Sequence, residues 1–137
     1  MSCIFCRIAA AEIPAEIIAQ DDHTVAFLDI SPLADGHAVV IPRRHVARLE
    51  DIPPAEVDAL FRTVATLAGP VRRVVGAAGS TIGINNGDAT GQTIPHVHVH
   101  IVPRWPDDGA GSVHTIFRAG TRRPVAEVGK EIRKALA

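Results

Sequence analysis

A surplus of charge is the first thing this sequence lacks: acidic and basic side chains nearly cancel, leaving a formal net charge of -1. That removes the electrostatic case for a nucleic-acid footprint or an anionic membrane surface. It does not exclude a single nucleotide, since one phosphate needs only local donors. Long apolar runs are missing too, and nothing approaches the ~20 residues that span a bilayer. Neither nucleic acid nor membrane is therefore expected as a partner. Residues 1–11 carry no basic region followed by an apolar stretch, so no signal peptide is expected. Cysteine is scarce, with only Cys3 and Cys6 present. Two thiols at Cys-x-x-Cys spacing, without a secretion signal, point to a metal or redox pair rather than a structural disulfide, and to a cytoplasmic protein. Repeats, low-complexity tracts and linkers are also absent. The 137 residues are read as one domain, 1–137, able to bury about two-thirds of the surface of its unfolded chain.

What is present is an alternation of short apolar segments and turns. Cys3 to Ala11 reads as a short helical turn, ended near Pro14. Ile17-Ile18-Ala19 and Thr24 to Leu28 form a hairpin over Asp21 to His23. Asp29-Ile30-Ser31-Pro32 leaves the second strand, and Asp35-Gly36 marks a turn. His37 to Pro42 is apolar on both faces through Ala38-Val39-Val40-Ile41, the pattern of a central strand, and Pro42 ends it by removing a donor. A helix starts between Asp51 and Pro54, with Asp51 or Ile52 near the cap and proline at its first position. Val57, Leu60, Phe61, Val64, Leu67 and Ala68 recur at helical spacing, so one face is core. Gly69-Pro70 is expected to kink or break this helix, since an interior proline costs about 3 kcal/mol; helical structure then resumes up to Gly76. Ser80 to Asn85 reads as a fourth strand, Trp105 to Ser112 as a loop, and Pro124 to Leu136 as a C-terminal helix. Strands, helix, strands, helix in that order argue an α+β fold with an antiparallel sheet.

Three of the chain's seven histidines, His96, His98 and His100, alternate with Val97, Val99 and Ile101. Strict alternation is the strand signature: the imidazoles share one face and the apolar residues enter the core. Neighbouring rings on such a face are roughly 7 Å apart at the backbone, close enough to share a phosphate-sized ligand or a metal. Ionisable clusters of this kind mark sites. Two chemistries use them. Three neutral imidazoles can hold a catalytic zinc; alternatively, one imidazole attacks phosphorus or an acyl carbon while its neighbours supply protons or hydrogen bonds. The loop Asn86 to Gly91 tilts the balance towards phosphate, because its glycines permit exposed backbone amides. Gln92-Thr93 adds neutral hydrogen-bond groups where metal hydrolases usually bring carboxylates, and Asp88 is the only one nearby.

The run His96-Val97-His98-Val99-His100-Ile101-Val102 resembles the histidine-triad (HIT) pattern. Gly91-Gln92-Thr93, Pro103-Arg104, Cys3-Ile4-Phe5-Cys6, Phe27 to Pro32 and Gly36 to His45 are similar to the family as well. These blocks make 3–104 the motif-bearing part and leave 105–137 as a C-terminal extension. The resemblance implies the HIT-like fold: a five-stranded antiparallel sheet packed against a long helix, with short N-terminal and C-terminal helices, in a symmetric homodimer. It implies hydrolysis of a nucleoside monophosphate from a leaving group through a nucleotidyl-histidine intermediate, on a purine nucleotide such as an AMP or GMP conjugate. By position His98 is the nucleophile, His100 a phosphate contact, and His96 the residue holding the nucleophile's geometry. Gln92 and Thr93 match residues near the leaving group, Thr93 as proton donor. Asp29 matches a residue bonding ribose hydroxyls and Asn85 one contacting the nucleotide. Ile4, Phe5, Phe27 and Ile30 match the walls around the base. His37 and His23 are read as structural or surface residues, and His114 is given no role.

A branch of the family carries a structural zinc on positions matching Cys3, Cys6, His45 and His96; a redox-active Cys3–Cys6 pair is the rival reading. No organic cofactor is implied. The N-terminal blocks are similar to Hint-like adenosine phosphoramidases, whereas Gln92-Thr93 with Val102-Pro103-Arg104 is similar to Fhit-like dinucleoside polyphosphate hydrolases; the first is the favoured expectation. Nucleotide-transferring relatives commonly have glutamine at the third triad position or proline between the first two histidines, where this chain has His100 and Val97. From a different class comes a zinc- and nucleotide-binding regulatory protein with little turnover.

Overall fold

In the computed structural model, which describes residues 3–137, the strand that is apolar on both faces is the middle of the sheet. This strand, β3 (Ala38–Pro42), is buried along its whole length. The others are β1 (Ile17–Gln20), β2 (Thr24–Leu28), β4 (Gly79–Gly83) and β5 (Val99–Arg104), in the order β1-β2-β3-β5-β4. Every neighbouring pair is antiparallel. The helices are α1 (Ile4–Ala9), α2 (Pro54–Val74) and α3 (Val125–Leu136).

Alternation in the strands builds two apolar layers. On one face Ala38 and Val40 of β3, Val99 and Ile101 of β5, and Val97 pack against Leu60 and Val64 of α2. On the other, Val39 and Ile41 join Val25 and Phe27 of β2 and meet Phe5 of α1. Fully burying a side chain such as Leu60 or Ile41, both at 0% exposure, is worth about 1.5–3 kcal/mol. The long helix is thus fixed to one side, and the opposite side keeps room for a site under α1. Phe61, expected in the buried stripe, lies at its margin and is 39% exposed.

Several boundaries differ from the sequence expectation. Pro70 does not break α2, which continues to Val74. The bond it forfeits is to the carbonyl of Thr66, an exposed residue whose oxygen water can serve. The cap is Pro53 rather than Asp51 or Ile52, with Pro54 opening the helix and Leu49–Asp51 forming a separate 3-10 turn. β4 is Gly79–Gly83, so Ile84 and Asn85 leave the sheet. The histidine segment also enters the sheet late. His96 N–H bonds the carbonyl of Ile94 and Val97 N–H that of Val46, so pairing with β3 starts only at Val99. The alternation survives this: Val97 still enters the core and His98 the opposite side. The extension forms a 3-10 turn at Val113–Ile116 and then α3 as expected.

Candidate active site

A cavity of about 390 Å³ opens on the α1 side of the sheet. Its lining is apolar at Ile4, Phe5, Ile8, Phe27 and Ile30 and polar at Asp29, Asn85, Thr93, His98 and His100. All six residues matched to nucleotide contacts therefore line one space, together with two of the three triad histidines. His96 and Gln92 stand outside its lining.

Hydrogen bonds fix which nitrogen of each ring carries the proton. His98 Nδ1 lies 2.7 Å from the carbonyl oxygen of His96. A carbonyl only accepts, so Nδ1–H donates and Nε2 keeps the lone pair. The ring is held edge-on between Phe5 and His100, each with its centroid 5.0 Å away. His100 is governed by a residue the sequence left as structural or surface. His37 Nδ1 accepts the Leu33 N–H at 3.1 Å, so its Nε2–H donates to His100 Nδ1 at 2.9 Å. His100 in turn presents Nε2–H as a donor. Burial, reinforced by His98 and His37, pushes His100 down to about 4, so it is neutral near pH 7. Burial also pushes His37 down, against the pull of Asp29. The Asp29 carboxylate is 3.8 Å from His37 Nε2, too long for a hydrogen bond, and accepts the Ser31 N–H at 2.8 Å. The signal for His37 lies in the sheet register and not in the sequence: Val39 pairs with His100, and the residue two before Val39 is its diagonal neighbour on the same face.

The polar loop between β4 and β5 is braced by Gln92. Its Oε1 accepts the Gly87 N–H at 2.8 Å, and its Nε2 donates to the carbonyls of Ala47 and Ile94 at 2.8 and 3.1 Å. Both ends of the amide are thus spent on main chain. Gly87 and Gly91 hold φ of 106° and 90°, which side chains with a Cβ rarely adopt. Thr93, one residue on, reaches the cavity.

The N-terminal thiols meet two histidines from opposite ends of the fold. Cys3 and Cys6 Sγ lie 3.5 and 3.6 Å from His96 Nδ1, and Cys6 Sγ lies 3.3 Å from His45 Nδ1. The four ligand atoms fall within 4.8 Å of one another. A tetrahedral zinc with bonds of about 2.3 Å to sulfur and 2.0–2.1 Å to nitrogen spaces its ligands about 3.5 Å apart. The protonation pattern fits as well. His96 Nε2–H donates to the Pro42 carbonyl at 2.8 Å, which leaves the Nδ1 lone pair facing the sulfurs, the outer-shell arrangement of a metal-ligating histidine. Burial, with Cys3 alongside, pushes the Cys6 thiol up; a cation would offset that. The donor set therefore fits a zinc ion.

The HIT domain family model matches residues 10–107. The adenosine 5'-monophosphoramidase of Schizosaccharomyces pombe is 36% identical over 104 residues, covering 76% of this chain and 75% of that protein. The asymmetrical bis(5'-nucleosyl)-tetraphosphatase of the same yeast is 45% identical over 85 residues, but these are 62% of this chain and 47% of that protein. Among solved structures, a HIT-family protein from Bacillus subtilis covers 100% of the chain and 99% of its own length, at TM-score 0.88 and 32% identity. A zinc-bound histidine-triad protein from Mycobacterium smegmatis covers 99% of the chain and 94% of its own, at TM-score 0.76 and 37% identity. Among the described residues no helix is long and apolar enough to cross a membrane. The chain belongs to the HIT family.

Proposed function

We propose that the protein is a nucleotide hydrolase that releases a nucleoside monophosphate from an amine, acting through a nucleotidyl-histidine intermediate. The observation that carries this reading is the bond from His98 Nδ1–H to the His96 carbonyl at 2.7 Å. It directs the lone pair to Nε2 on a ring that lines the cavity, the state an attacking imidazole needs. Nε2 attacks the α-phosphorus; the P–N bond to His98 forms as the bond to the leaving amine breaks, and the amine takes up a proton, for which Thr93 supplies the hydroxyl in the lining. Water then attacks the same phosphorus, giving up the proton that restores the Thr93 hydroxyl, the His98–phosphorus bond breaks, and AMP leaves. His100 Nε2–H donates to a non-bridging oxygen as charge gathers there. Asp29 takes the ribose hydroxyls, Asn85 contacts the nucleotide, and Ile4, Phe5, Phe27 and Ile30 enclose the base.

Zinc held by Cys3, Cys6, His45 and His96 would contribute a structural crosslink and no reaction step. Gln92 braces the loop that presents Thr93. The same reading takes residues 1–137 as one catalytic unit, working in the cytoplasm as a homodimer; light scattering, giving twice the chain mass, tests the last point.

One observation separates the amine reading from dinucleoside polyphosphate hydrolysis. Among the described residues no lysine or arginine lines the cavity, and Arg48, packed on Gly87 of the adjoining loop, is 3.6 Å from Glu50. A polyphosphate leaving group would bring several negative charges to a wall with no cation to meet them. Turnover of AMP-amine, GMP-amine and dinucleoside polyphosphate substrates is the test: kcat/KM highest for the amines supports the reading, and a preference for the polyphosphates reverses it. AMP release that persists unchanged in His98→Ala would remove His98 as the nucleophile.

A further inference from the structure

The two residues enclosed by the cysteine pair, Ile4 and Phe5, are both walls of the cavity. Phe5 is buried and reaches further. Its ring is edge-on to His96 and to His98, with centroids 5.9 and 5.0 Å away, and tilted against Phe27 at 5.5 Å. His96 makes a second connection. Its ring faces both sulfurs, while its carbonyl oxygen accepts the His98 Nδ1–H. Two contiguous paths therefore join the sulfurs to the imidazole with the lone pair, one through Phe5 and one through His96. Both thiols are unbridged and only half-buried.

We propose that Cys3 and Cys6 form a thiol switch on the nucleotide cavity, opened by a hydroperoxide and closed by a dithiol reductant with zinc. This rests on the nucleotide and zinc readings above. The two thiolates give up two electrons and form one sulfur–sulfur bond. The peroxide O–O bond breaks, takes up those electrons and two protons, and leaves as two molecules of water when the oxidant is hydrogen peroxide. With the thiolates gone, only His45 and His96 remain to hold the ion. Two zinc thiolates stand a tetrahedral edge apart, about 3.8 Å for 2.3 Å bonds, whereas a disulfide needs the sulfurs in covalent contact. The closure is absorbed by the first residues of α1 between them, Ile4 and Phe5. The pocket wall therefore moves with the thiol state. Cys-x-x-Cys pairs beside a metal are the ones open to such exchange.

The experiment uses the zinc-loaded full chain treated with hydrogen peroxide, then with dithiothreitol and zinc. Four quantities are read: thiols by titration, zinc by a chromophoric chelator, the Kd for AMP by calorimetry, and the ring nitrogen NMR signals of His98 without nucleotide. The switch predicts loss of two thiols, release of one ion per chain, about tenfold weaker AMP binding, roughly 1.4 kcal/mol, displaced His98 signals, and recovery of all four on reduction. Oxidised, zinc-free protein with unmoved His98 signals overturns the proposal, and so do thiols that survive excess peroxide. A peroxide response that persists in the Cys3→Ser, Cys6→Ser double variant overturns it too. If AMP does not bind even the reduced protein, the nucleotide reading fails, and the His98 signals still decide the switch.

Discussion

His96 and His98 are two residues apart, both buried, and both tied through one ring nitrogen to a main-chain carbonyl; they nevertheless face different chemistry. His96 spends Nε2–H on Pro42 and turns Nδ1 to two sulfurs. His98 spends Nδ1–H on His96 and keeps its lone pair on Nε2, in a ring that lines the cavity. The lesson is that the second nitrogen's partner, rather than the residue type or the strand face, sets what a histidine can do. One end of the segment presents a ring lone pair to two sulfurs and the other presents one in the cavity lining.

The comparison breaks most visibly at His98. His98→Ala should reduce AMP release from an AMP-amine by on the order of 10⁴-fold or more, as loss of a covalent nucleophile does elsewhere, while AMP still binds within a few-fold. Single-turnover kinetics alongside calorimetry check both. A variant that loses binding in proportion to turnover would make His98 a ligand contact and blur the distinction.

At the other end the effect should be on folding. Cys3→Ser, or chelation of wild type, removes the proposed zinc, whose four-ligand site exists only in the folded state. With zinc at about 1,000 times its Kd, that linkage is worth about 4 kcal/mol, or on the order of 10 °C in Tm for a domain of this size. Thermal melts with and without added zinc measure it. A Cys3→Ser melt that still responds fully to zinc would remove Cys3 from the ligand set.

Between the two ends, His100 gives a pH signature. Its native value of about 4 lies below its ordinary 6.5, so between those values the unfolded chain takes a proton that the native ring refuses. Stability is then complete above about pH 6.5 and falls as the pH drops towards 4, by at most on the order of 3 kcal/mol. His37 and His96 are also pushed down by burial and act in the same direction. Melts from pH 7 to pH 4 should show the decline, and His100→Asn should flatten it. His37→Leu sharpens the point: without its Nε2–H, nothing holds His100 with its donor outward. Turnover should fall about 10- to 100-fold, the usual range for a supporting hydrogen bond, with KM less affected than kcat.

Much of this was legible in the residues. Ala38-Val39-Val40-Ile41 announces a central strand because both of its faces are apolar, and the alternation at 97–101 separates core valines from histidines. His37 was not legible, because its role depends on which strand lies beside β3; only the pairing of Val39 with His100 brings it into reach. The continuity of α2 through Pro70 was hidden for a related reason. Local propensity counts the lost hydrogen bond but not that Thr66, whose carbonyl loses it, lies on the exposed side of the helix. The late start of β5 follows from Val46 competing for the Val97 N–H, a contact between segments far apart in sequence.

The smallest effect is expected at Gln92, where the family resemblance suggests a leaving-group contact. Its amide is bonded to Gly87, Ala47 and Ile94. Removing it in Gln92→Ala leaves one N–H and two carbonyls to find water. Each such hydrogen bond is worth about 0.5–1.5 kcal/mol; the bond to Ala47 is exposed, whereas Gly87 is buried. Tm should drop by a few degrees and turnover by less than tenfold. The deciding measurement is the spread across leaving groups. A brace lowers kcat/KM by the same factor for every amine, because it acts on the loop that carries Thr93. A direct contact lowers it most for the poorest leaving group, whose departure needs the most help. A slope that steepens with leaving-group pKa in Gln92→Ala would return Gln92 to the reacting centre and leave the loop without its brace.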